Sequence, residues 1–119
     1  MEQAPVPAVY PDAVSYAGWP QDLHSPFGVD DPTLPPNHDG SMPYVYSTPL
    51  RSLCAGAKVP NLMAVGRLAS FSHVAYGSQR VMATCQAMGQ GAGAAAAYCI
   101  AKGVTPYEAA QDPAAVWSI

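Results

Sequence analysis

Charged side chains are scarce in this chain of 119 residues: they make up 11% of it, whereas a globular domain usually carries about a quarter. The few charges are also unevenly divided, because residues 1–42 hold six of the eight acids and neither lysine nor arginine. All five bases lie further on, at Arg51, Lys58, Arg67, Arg80 and Lys102. Five scattered bases are too few for nucleic-acid binding. The shortage of charge also predicts that some surface faces another polypeptide segment.

Paired cysteines, a secretion signal and a metal-ligand spacing are absent as well. Cys54, Cys85 and Cys99 are odd in number and form no C-x-x-C, so we expect free thiols and neither a disulfide framework nor a zinc site. Free thiols favour a reducing compartment such as the cytoplasm, which the sequence does not fix. The first residues lack the basic start and apolar stretch of a signal peptide. The histidines and aspartates between positions 22 and 39 repeat no ligand spacing, which favours solvated loops over a metal site.

Prolines divide the chain into two predicted parts, because eleven of the thirteen lie at or before Pro60. Residues 1–42 show no sustained helical or strand period and are predicted to be irregular, with a short extended piece at Ala17–His24 and a surface loop at Asp30–Gly40. Residues 43–119 are better ordered. Their first elements are a strand at Tyr44–Thr48, a helical turn at Pro49–Ala55 stopped by Gly56, a buried strand at Asn61–Val65, and a loop or short helix at Phe71–Gly77.

The segment Arg80–Lys102 is predicted to be one long helix, since it has no proline and is rich in alanine, glutamine and methionine. Gly103 suits the position just after a helix. Small residues four apart predict a face that something approaches closely: Cys85, Gly89, Gly93, Ala97 and Ala101. Although the apolar run is long enough for a bilayer, its alanine, glycine and glutamine content favours a buried helix of a soluble protein, with no membrane partner.

Two further signals follow the long helix. Thr105-Pro106-Tyr107-Glu108 forms a capping box, in which Thr105 caps the helix and Glu108 reaches back to the Thr105 amide. The helix that starts there is expected to end before Pro113. After it, Val116, Trp117 and Ile119 form an apolar tail that should dock on a core.

The arrangement of a strand, a Gly66-Arg67 turn and a long helix suits ligand binding. A glycine lets backbone lie against a ligand, and the N-terminus of a helix presents free N–H groups and partial positive charge. By shape alone, however, an ordinary strand-loop-helix unit without a ligand is the favoured interpretation.

Specific sequence motifs add to this predicted arrangement of a strand, a turn and a helix. The runs PNLMAVGR (60–67), SFSHVAYGSQRVMATC (70–85) and MGQGAG (88–93) closely resemble the C-terminal end of the FAD-dependent oxidoreductase family, whose members end in patterns like N-L-x-x-x-G-R, S-x-x-H-x-x-x-G-S-x-R-V-M-x-T-C and M-G-Q-A-A-G. The resemblance covers roughly residues 43–111. Upstream, WPQDLH (19–24) resembles a D-x-H element of the family's substrate-domain region.

The resemblance implies roles for individual residues. Gly66 and Arg67 would meet the ribityl chain and pyrophosphate of FAD. The amides of Val81, Met82, Ala83 and Thr84 would face the edge of the isoalloxazine ring. His73 and Arg80 would act as catalytic residues beside the ring, and Asp22, His24 and Arg51 would bind a small-molecule substrate. Where the family pattern M-G-Q-A-A-G has alanine after the glutamine, this chain has Gly91, which we expect to weaken the helix without touching the chemistry.

One element of a dinucleotide site is missing. No G-x-G-x-x-G fingerprint follows a predicted strand, and Gly89, Gly91 and Gly93 have the wrong spacing within a predicted helix. The expected fold is therefore α/β: a C-terminal fragment of a Rossmann-like FAD-binding domain. It would have a Pro-rich irregular part at 1–42, ending a substrate-domain region, and the C-terminal part of the FAD-binding domain at 43–119.

Three functions remain open at this point. In the first, the chain supplies the flavin-ring side of a flavoenzyme, is inactive alone, and needs an N-terminal FAD-binding region as its partner. In the second, it is a non-enzymatic remnant or interaction module. In the third, it is a small anion-binding domain that uses Arg51, Arg67 and Arg80. The substrate, the electron acceptor and the oligomeric state are not readable from the sequence.

Overall fold

The computed structural model describes residues 9–23, 25, 27–28, 30–32 and 45–116. Within these residues it shows a mixed α/β arrangement with a two-stranded sheet and a long helix, as the sequence predicts. The elements in chain order are β1 (Ala13–Ala17), β2 (Tyr46–Pro49), a 3-10 helix (Leu50–Ser52), a second 3-10 helix (Gly66–Leu68), α1 (His73–Gln79), α2 (Met82–Lys102), α3 (Pro106–Gln111) and α4 (Pro113–Val116).

The sheet joins β1 to β2 in an antiparallel pair, with Tyr16 opposite Ser47 and an irregularity in register between Ala13 and Ser15. The sequence predicted β2 two residues early, and Tyr44 lies outside the described residues. It did not predict β1, which precedes the extended piece expected at Ala17–His24. Of that piece, Ala17 is the last residue of β1, residues 18–23 have no regular secondary structure, and His24 is outside the described residues. A five-residue strand is too short for its alternation to stand out.

The segment Asn61–Val65 is not the buried strand that its apolar residues predicted. It contacts the preceding turn through one isolated bridge between Met63 and Cys54, and the Ala64 amide donates to the Leu53 carbonyl at 2.7 Å. Leu62 is half exposed. Since its partner is a short turn and not a strand, no ladder can extend beyond the bridge. The helical turn expected at Pro49–Ala55 forms as the 3-10 helix, and Gly56 after it has a positive φ of 94°.

The predicted long helix exists, but α2 begins at Met82 because Arg80 still belongs to the end of α1. The Arg80 amide donates to the Tyr76 carbonyl at 3.1 Å, and Val81 then takes an extended conformation. Gly103 ends α2 in the left-handed conformation, with φ of 66°. Both α1, expected as a loop or short helix, and the termination at Gly103 are thereby confirmed.

The capping box of α3 is present with both of its hydrogen bonds. The Thr105 side chain accepts from the Glu108 amide at 3.3 Å, and the Glu108 carboxylate accepts from the Thr105 amide at 2.8 Å. The helix ends at Gln111, before Pro113 as predicted. Val116 of the predicted apolar tail is buried, whereas Trp117 and Ile119 lie outside the described residues.

The buried face of α2 is not the predicted one. Gly89, Gly93, Ala97 and Ala101 are exposed, and the core side of the helix carries Thr84, Met88, Gly91, Ala92, Ala95 and Cys99. The close approach occurs at Gly91, where a Cβ atom would lie 2.4 Å from the Val14 carbonyl oxygen. The glycine at this position therefore makes room for β1. The expectation that it merely weakens the helix was incomplete.

The core lies between α2 and the residues around the two 3-10 helices. Leu50, Leu53, Met88 and Ala95 are fully buried there, and Val14 of β1 packs against the same residues. Because β1 comes from the first predicted part and β2 from the second, the sheet spans the expected division at residues 42 and 43, and that division stays a prediction. Among the described residues, no helix is both long and apolar enough to cross a bilayer.

Candidate functional site

The Gly66-Arg67 turn is the second 3-10 helix, and it packs against the first turn of α2. Gly66 has a positive φ of 66°, and a Cβ added there would lie 3.6 Å from Cβ of Cys85. Arg67 is exposed and has no ion-pair partner among the described residues. Its carbonyl oxygen accepts a hydrogen bond from the Tyr76 hydroxyl at 3.3 Å, which ties the turn to α1. The turn next to the start of α2 thus carries an exposed arginine that has no ion-pair partner in the described part of the chain.

The N-terminus of α2 has no side-chain cap. Val81 is the N-cap residue, and the first hydrogen bond along the helix runs from the Cys85 amide to the Val81 carbonyl at 2.9 Å. The amides of Met82, Ala83 and Thr84 precede that bond and have no acceptor within the helix. The Thr84 side chain is buried, whereas that of Met82 is 78% exposed. The first turn of this 21-residue helix therefore carries free N–H donors and a partial positive charge.

Arg80 and Asp22, predicted for catalysis and substrate binding, contact each other. An Arg80 Nη2 donates to the Asp22 carboxylate at 2.6 Å and to the Asp22 carbonyl oxygen at 3.0 Å. About a third of each side chain remains exposed. The structure thus brings together two residues that are 58 positions apart in sequence, and the ion pair holds the guanidinium in place.

The last residues of α1 hold the segment Trp19–Leu23 in place. The Asp22 amide donates to the Gly77 carbonyl at 3.3 Å, and a Cβ on Gly77 would lie 2.7 Å from Cδ2 of Leu23 and 3.0 Å from the Asp22 carbonyl oxygen. The buried Ser78 hydroxyl donates to the Trp19 carbonyl. Gly77, Ser78 and Arg80 of the G-S-x-R run therefore each contact the segment upstream.

The side chains of Ser78 and Gln79 also reach the sheet, which the sequence did not reveal. Ser78 shares a hydrogen bond with the Tyr46 hydroxyl, and the Thr48 hydroxyl donates to Oε1 of Gln79 at 3.3 Å. Burial raises the pKa of the Tyr46 phenol, and the bond to Ser78 opposes that rise. The sequence signal for these contacts was the pair of adjacent polar residues, Ser78 and Gln79, within a predicted helical region. Their partners in the sheet could not be identified from it, because they lie about thirty residues away.

Arg51 is engaged by a carboxylate that sequence reasoning did not single out. Its guanidinium forms an ion pair with Asp12, whose side chain is almost fully buried, and the Arg51 amide donates to the same carboxylate at 3.1 Å. The guanidinium also lies 4.7 Å from the centre of the Tyr10 ring. Arg51 and Arg80 are both paired with carboxylates, so among the three arginines of the predicted anion clamp only Arg67 is unpaired within the described residues.

His73 is the first residue of α1 and is exposed. Ser72 caps that helix by accepting from the Ala75 amide at 3.3 Å, so the imidazole projects from a capped helix start. His24, the other predicted histidine, lies outside the described residues. The distance between the two histidines is therefore not defined. The catalytic role of His73 stays a prediction.

The three cysteines are free thiols, as predicted. The Cys54 thiol donates to the carbonyl oxygens of Leu50 and Pro106, both at 3.4 Å. Burial, with smaller contributions from Cys99 and Asp12, raises the pKa of Cys54 to about 11. Burial also raises the pKa of Cys99. Thiols held protonated in this way are poor nucleophiles. Within the described residues no three histidine, cysteine or acidic side chains cluster as a metal site would require.

The chain matches the model of a known protein family. A family model described as FAD dependent oxidoreductase matches residues 2–114, which is nearly the whole chain. No curated protein and no solved structure matches significantly. The match includes the Gly66-Arg67 turn, the end of α1 and all of α2, where the site residues lie. The chain therefore belongs to the FAD-dependent oxidoreductase family.

Proposed function

We propose that this chain provides the flavin-ring side of an FAD site and one wall of the substrate pocket in a redox enzyme. The observation that carries the proposal is the uncapped N-terminus of α2 beside the turn of Arg67, whose guanidinium has no ion-pair partner among the residues that the structure describes. Free amides and an unpaired guanidinium suit an electron-rich or anionic group. Membership of the family makes FAD the expected group.

Charge and an open backbone are the features of this site that support a flavin as its ligand. Gly66 and Arg67 would hold the ribityl and pyrophosphate part, because a glycine there leaves the backbone open and Arg67 is exposed. The amides of Val81, Met82, Ala83 and Thr84 would face the ring. FAD, when bound, supplies the redox chemistry, since its ring accepts or donates a hydride or single electrons. The helix amides would stabilise negative charge on the reduced ring.

The substrate side of the site rests on Arg80 and its partner Asp22. With Asp22 holding one edge, the Arg80 guanidinium keeps other N–H groups for a carbonyl or carboxylate of the substrate. His73 and His24 are proposed to line the same pocket. Arg51, by contrast, would have to leave the buried Asp12 carboxylate to meet a substrate, so we assign it to the structure and not to the pocket.

The ADP half of FAD needs a second segment. The glycines at 89, 91 and 93 lie inside α2, so they cannot form the strand-to-helix turn of a dinucleotide fingerprint. We propose that a companion FAD-binding segment, continuous with this chain or separate from it, provides that turn. The chain by itself is then expected to bind FAD weakly or not at all.

The test is to combine the chain with a companion polypeptide that carries the fingerprint, either fused or co-expressed, and to record the visible spectrum. We expect flavin absorbance in the purified complex. Arg67→Ala should weaken FAD binding about tenfold or more, because a charge-assisted hydrogen bond is worth roughly 1.5–3 kcal/mol. Lys58→Ala is the matched control, since Lys58 is an exposed cation elsewhere and should leave FAD binding unchanged.

The proposal fails if a folded complex contains no flavin, or if Arg67→Ala and Lys58→Ala affect the FAD affinity equally. In the second case the two cations would act on FAD only through long-range electrostatic attraction, and Arg67 would make no specific contact. Tight FAD binding by the chain of 119 residues alone would also contradict the need for a companion.

A further inference from the structure

Tyr76 is bonded to both arginines of the proposed site. Its hydroxyl donates to the Arg67 carbonyl oxygen at 3.3 Å, and its own carbonyl oxygen accepts from the Arg80 amide at 3.1 Å. The two bonds use different parts of the residue, because the side chain makes the first and the main chain makes the second. Tyr76 therefore joins the turn of Arg67 to the end of α1, where Arg80 lies.

The turn of Arg67 has no buried side chain to fix its orientation. None of its three residues, Gly66–Leu68, is buried, and the Leu68 side chain is 80% exposed. Within the turn the Leu68 amide donates to the Val65 carbonyl at 3.4 Å, which is long for a bond between an amide and a carbonyl. The orientation of this turn therefore depends on contacts made from outside it, among which is the hydroxyl of Tyr76.

The Tyr76 hydroxyl acts on the peptide unit that links Arg67 to Leu68. In a trans peptide the C=O and N–H groups point in opposite directions, and no described residue follows a cis bond. Tyr76 holds the carbonyl of this unit and Val65 holds its amide, so one planar group is held on two sides. The torsion angle ψ of Arg67 is thereby restrained, and with it the direction in which the arginine side chain leaves the turn.

The helix that carries Tyr76 is itself well anchored. Its residues Gly77–Gln79 are buried, and the Ser78 hydroxyl donates to the Trp19 carbonyl. The Tyr76 amide donates to the Ser72 carbonyl at 2.9 Å at the start of the helix. Because α1 is fixed in this way, the hydroxyl of Tyr76 has a defined place from which to hold the turn.

We propose that Tyr76 is a positioning residue for FAD, whose hydroxyl keeps the Arg67 guanidinium beside the N-terminus of α2 and at a set spacing from Arg80. The inference rests on the proposed function, because Tyr76 acts on the pyrophosphate of FAD only through Arg67. An arginine whose backbone is held before the cofactor arrives loses less conformational freedom on binding, which raises the affinity.

The first test uses the free chain and the variant Tyr76→Phe, which removes the hydroxyl and keeps both the ring and the carbonyl that is bonded to Arg80. We expect the Leu68 amide to exchange with water about fivefold faster, as measured by NMR on the isotope-labelled chain, because its peptide unit is no longer held on both sides. The amides of Asp22 and Arg80, which bond to other carbonyls of α1, should exchange at the parent rate.

The matched control is Tyr107→Phe. Tyr107 is a partly buried tyrosine of α3, and its hydroxyl has no hydrogen bond to the described residues. This variant should leave the exchange of Leu68, Asp22 and Arg80 unchanged.

The second test measures FAD affinity in the complex with the companion segment. Tyr76→Phe should weaken FAD binding about fivefold in the parent background. In an Arg67→Ala background the same change should weaken it less than about twofold, because no guanidinium is left to position. A tyrosine that merely supported the fold would cause the same loss in both backgrounds.

Three results would overturn the inference. The first is a Leu68 amide that exchanges at the parent rate in Tyr76→Phe, which would show that the hydroxyl does not hold the turn. The second is faster exchange of Asp22 and Arg80 together with Leu68, which would show that the whole of α1 has loosened. The third is an equal loss of FAD affinity with and without Arg67. A parent complex without flavin would instead overturn the proposed function, and the Leu68 exchange rates would then decide alone whether Tyr76 holds the turn.

Discussion

Gly89, Gly91 and Gly93 illustrate how strongly a residue's role depends on the face it occupies. Residues two apart on a helix point about 200° away from each other, so Gly91 faces the core while the other two face outward. A Cβ on Gly91 would meet the backbone of Val14, whereas a Cβ on Gly89 or Gly93 would meet nothing within 4 Å. The same amino acid thus has a packing role at one position and only a cost in helix propensity at the other two.

We expect Gly91→Ala to destabilise the chain by about 1–3 kcal/mol. Alanine is favoured over glycine in a helix by about 1 kcal/mol, but a Cβ 2.4 Å from the Val14 oxygen forces β1 and α2 apart. Gly89→Ala is the matched control and should stabilise by about 0.5–1 kcal/mol, since it gains propensity in open space. Urea unfolding followed by circular dichroism measures both changes. A more stable Gly91→Ala variant would show that β1 does not cross α2 at this residue.

At the scale of a single element, the start of α3 is set by local chemistry alone. Thr105, Pro106 and Glu108 are all within one turn, and their side chains satisfy amides that the helix leaves free. The backbone amide of Thr105, and secondly its hydroxyl, donate to the Glu108 carboxylate and lower the pKa of that group. A lowered pKa in the folded state means that the ionised carboxylate stabilises the fold.

The cap should therefore contribute a stability that depends on pH. The contribution is fully present above the ordinary glutamate pKa of 4.5 and is lost as the pH falls through the lowered folded value. Glu108→Gln removes this titration, so its unfolding midpoint should lie below that of the parent chain at pH 7, and the gap should close towards pH 3. Thr105→Ala should cost about 1 kcal/mol at pH 7. A gap of constant size across this pH range would contradict the assigned role of the carboxylate.

Elements that depend on neighbouring residues were the ones that the sequence predicted well. The capping box, the glycine that ends α2 and the short helix α1 each need only residues within a turn or two. The start of α2 was misplaced by two residues because Arg80 closes α1 through a bond to Tyr76, and no pattern in either helix marks where one ends.

Features that depend on distant partners were missed. β1 is recognisable only through β2, more than thirty residues later, and the buried face of α2 is decided by where β1 crosses it. For the candidate site, the sequence motifs identified the Gly66-Arg67 turn and the N-terminal residues of α2 as candidate ligand-binding residues. The pairing of Arg80 with Asp22, and of Arg51 with Asp12, was not, because spacing in the sequence carries no information on which carboxylate reaches which guanidinium.

At the scale of the whole molecule, exposed apolar side chains accompany the low charge. Leu68, Met82 and Ile100 are each at least 78% exposed, and the first two lie at the proposed flavin side, on the Gly66-Arg67 turn and the α2 N-terminus. An exposed leucine and methionine at a proposed binding side suit a surface that another molecule covers. They agree with a chain that works together with a companion segment.

The contacts between residues 9–23 and 45–116 should make these segments unfold as one unit. The ion pair of Arg51 with buried Asp12 and the bond from Ser78 to the Trp19 carbonyl join them, in addition to the β1–β2 pairing. In a Trp117→Phe background, Trp19 fluorescence reports on the first segment and the circular dichroism of α2 on the second. We expect coincident thermal transitions.

Arg51→Ala sharpens this test of cooperativity. Removing the guanidinium leaves the buried Asp12 carboxylate without its counter-ion, and since Arg51 itself is half exposed we expect a loss of about 1–2 kcal/mol. Because the segments form one unit, both the Trp19 signal and the α2 signal should move to lower temperature together, while Lys58→Ala leaves both within about 0.5 kcal/mol. If only the Trp19 transition moved, the first segment would be an independent part, and the division near residue 42 would be a true domain boundary.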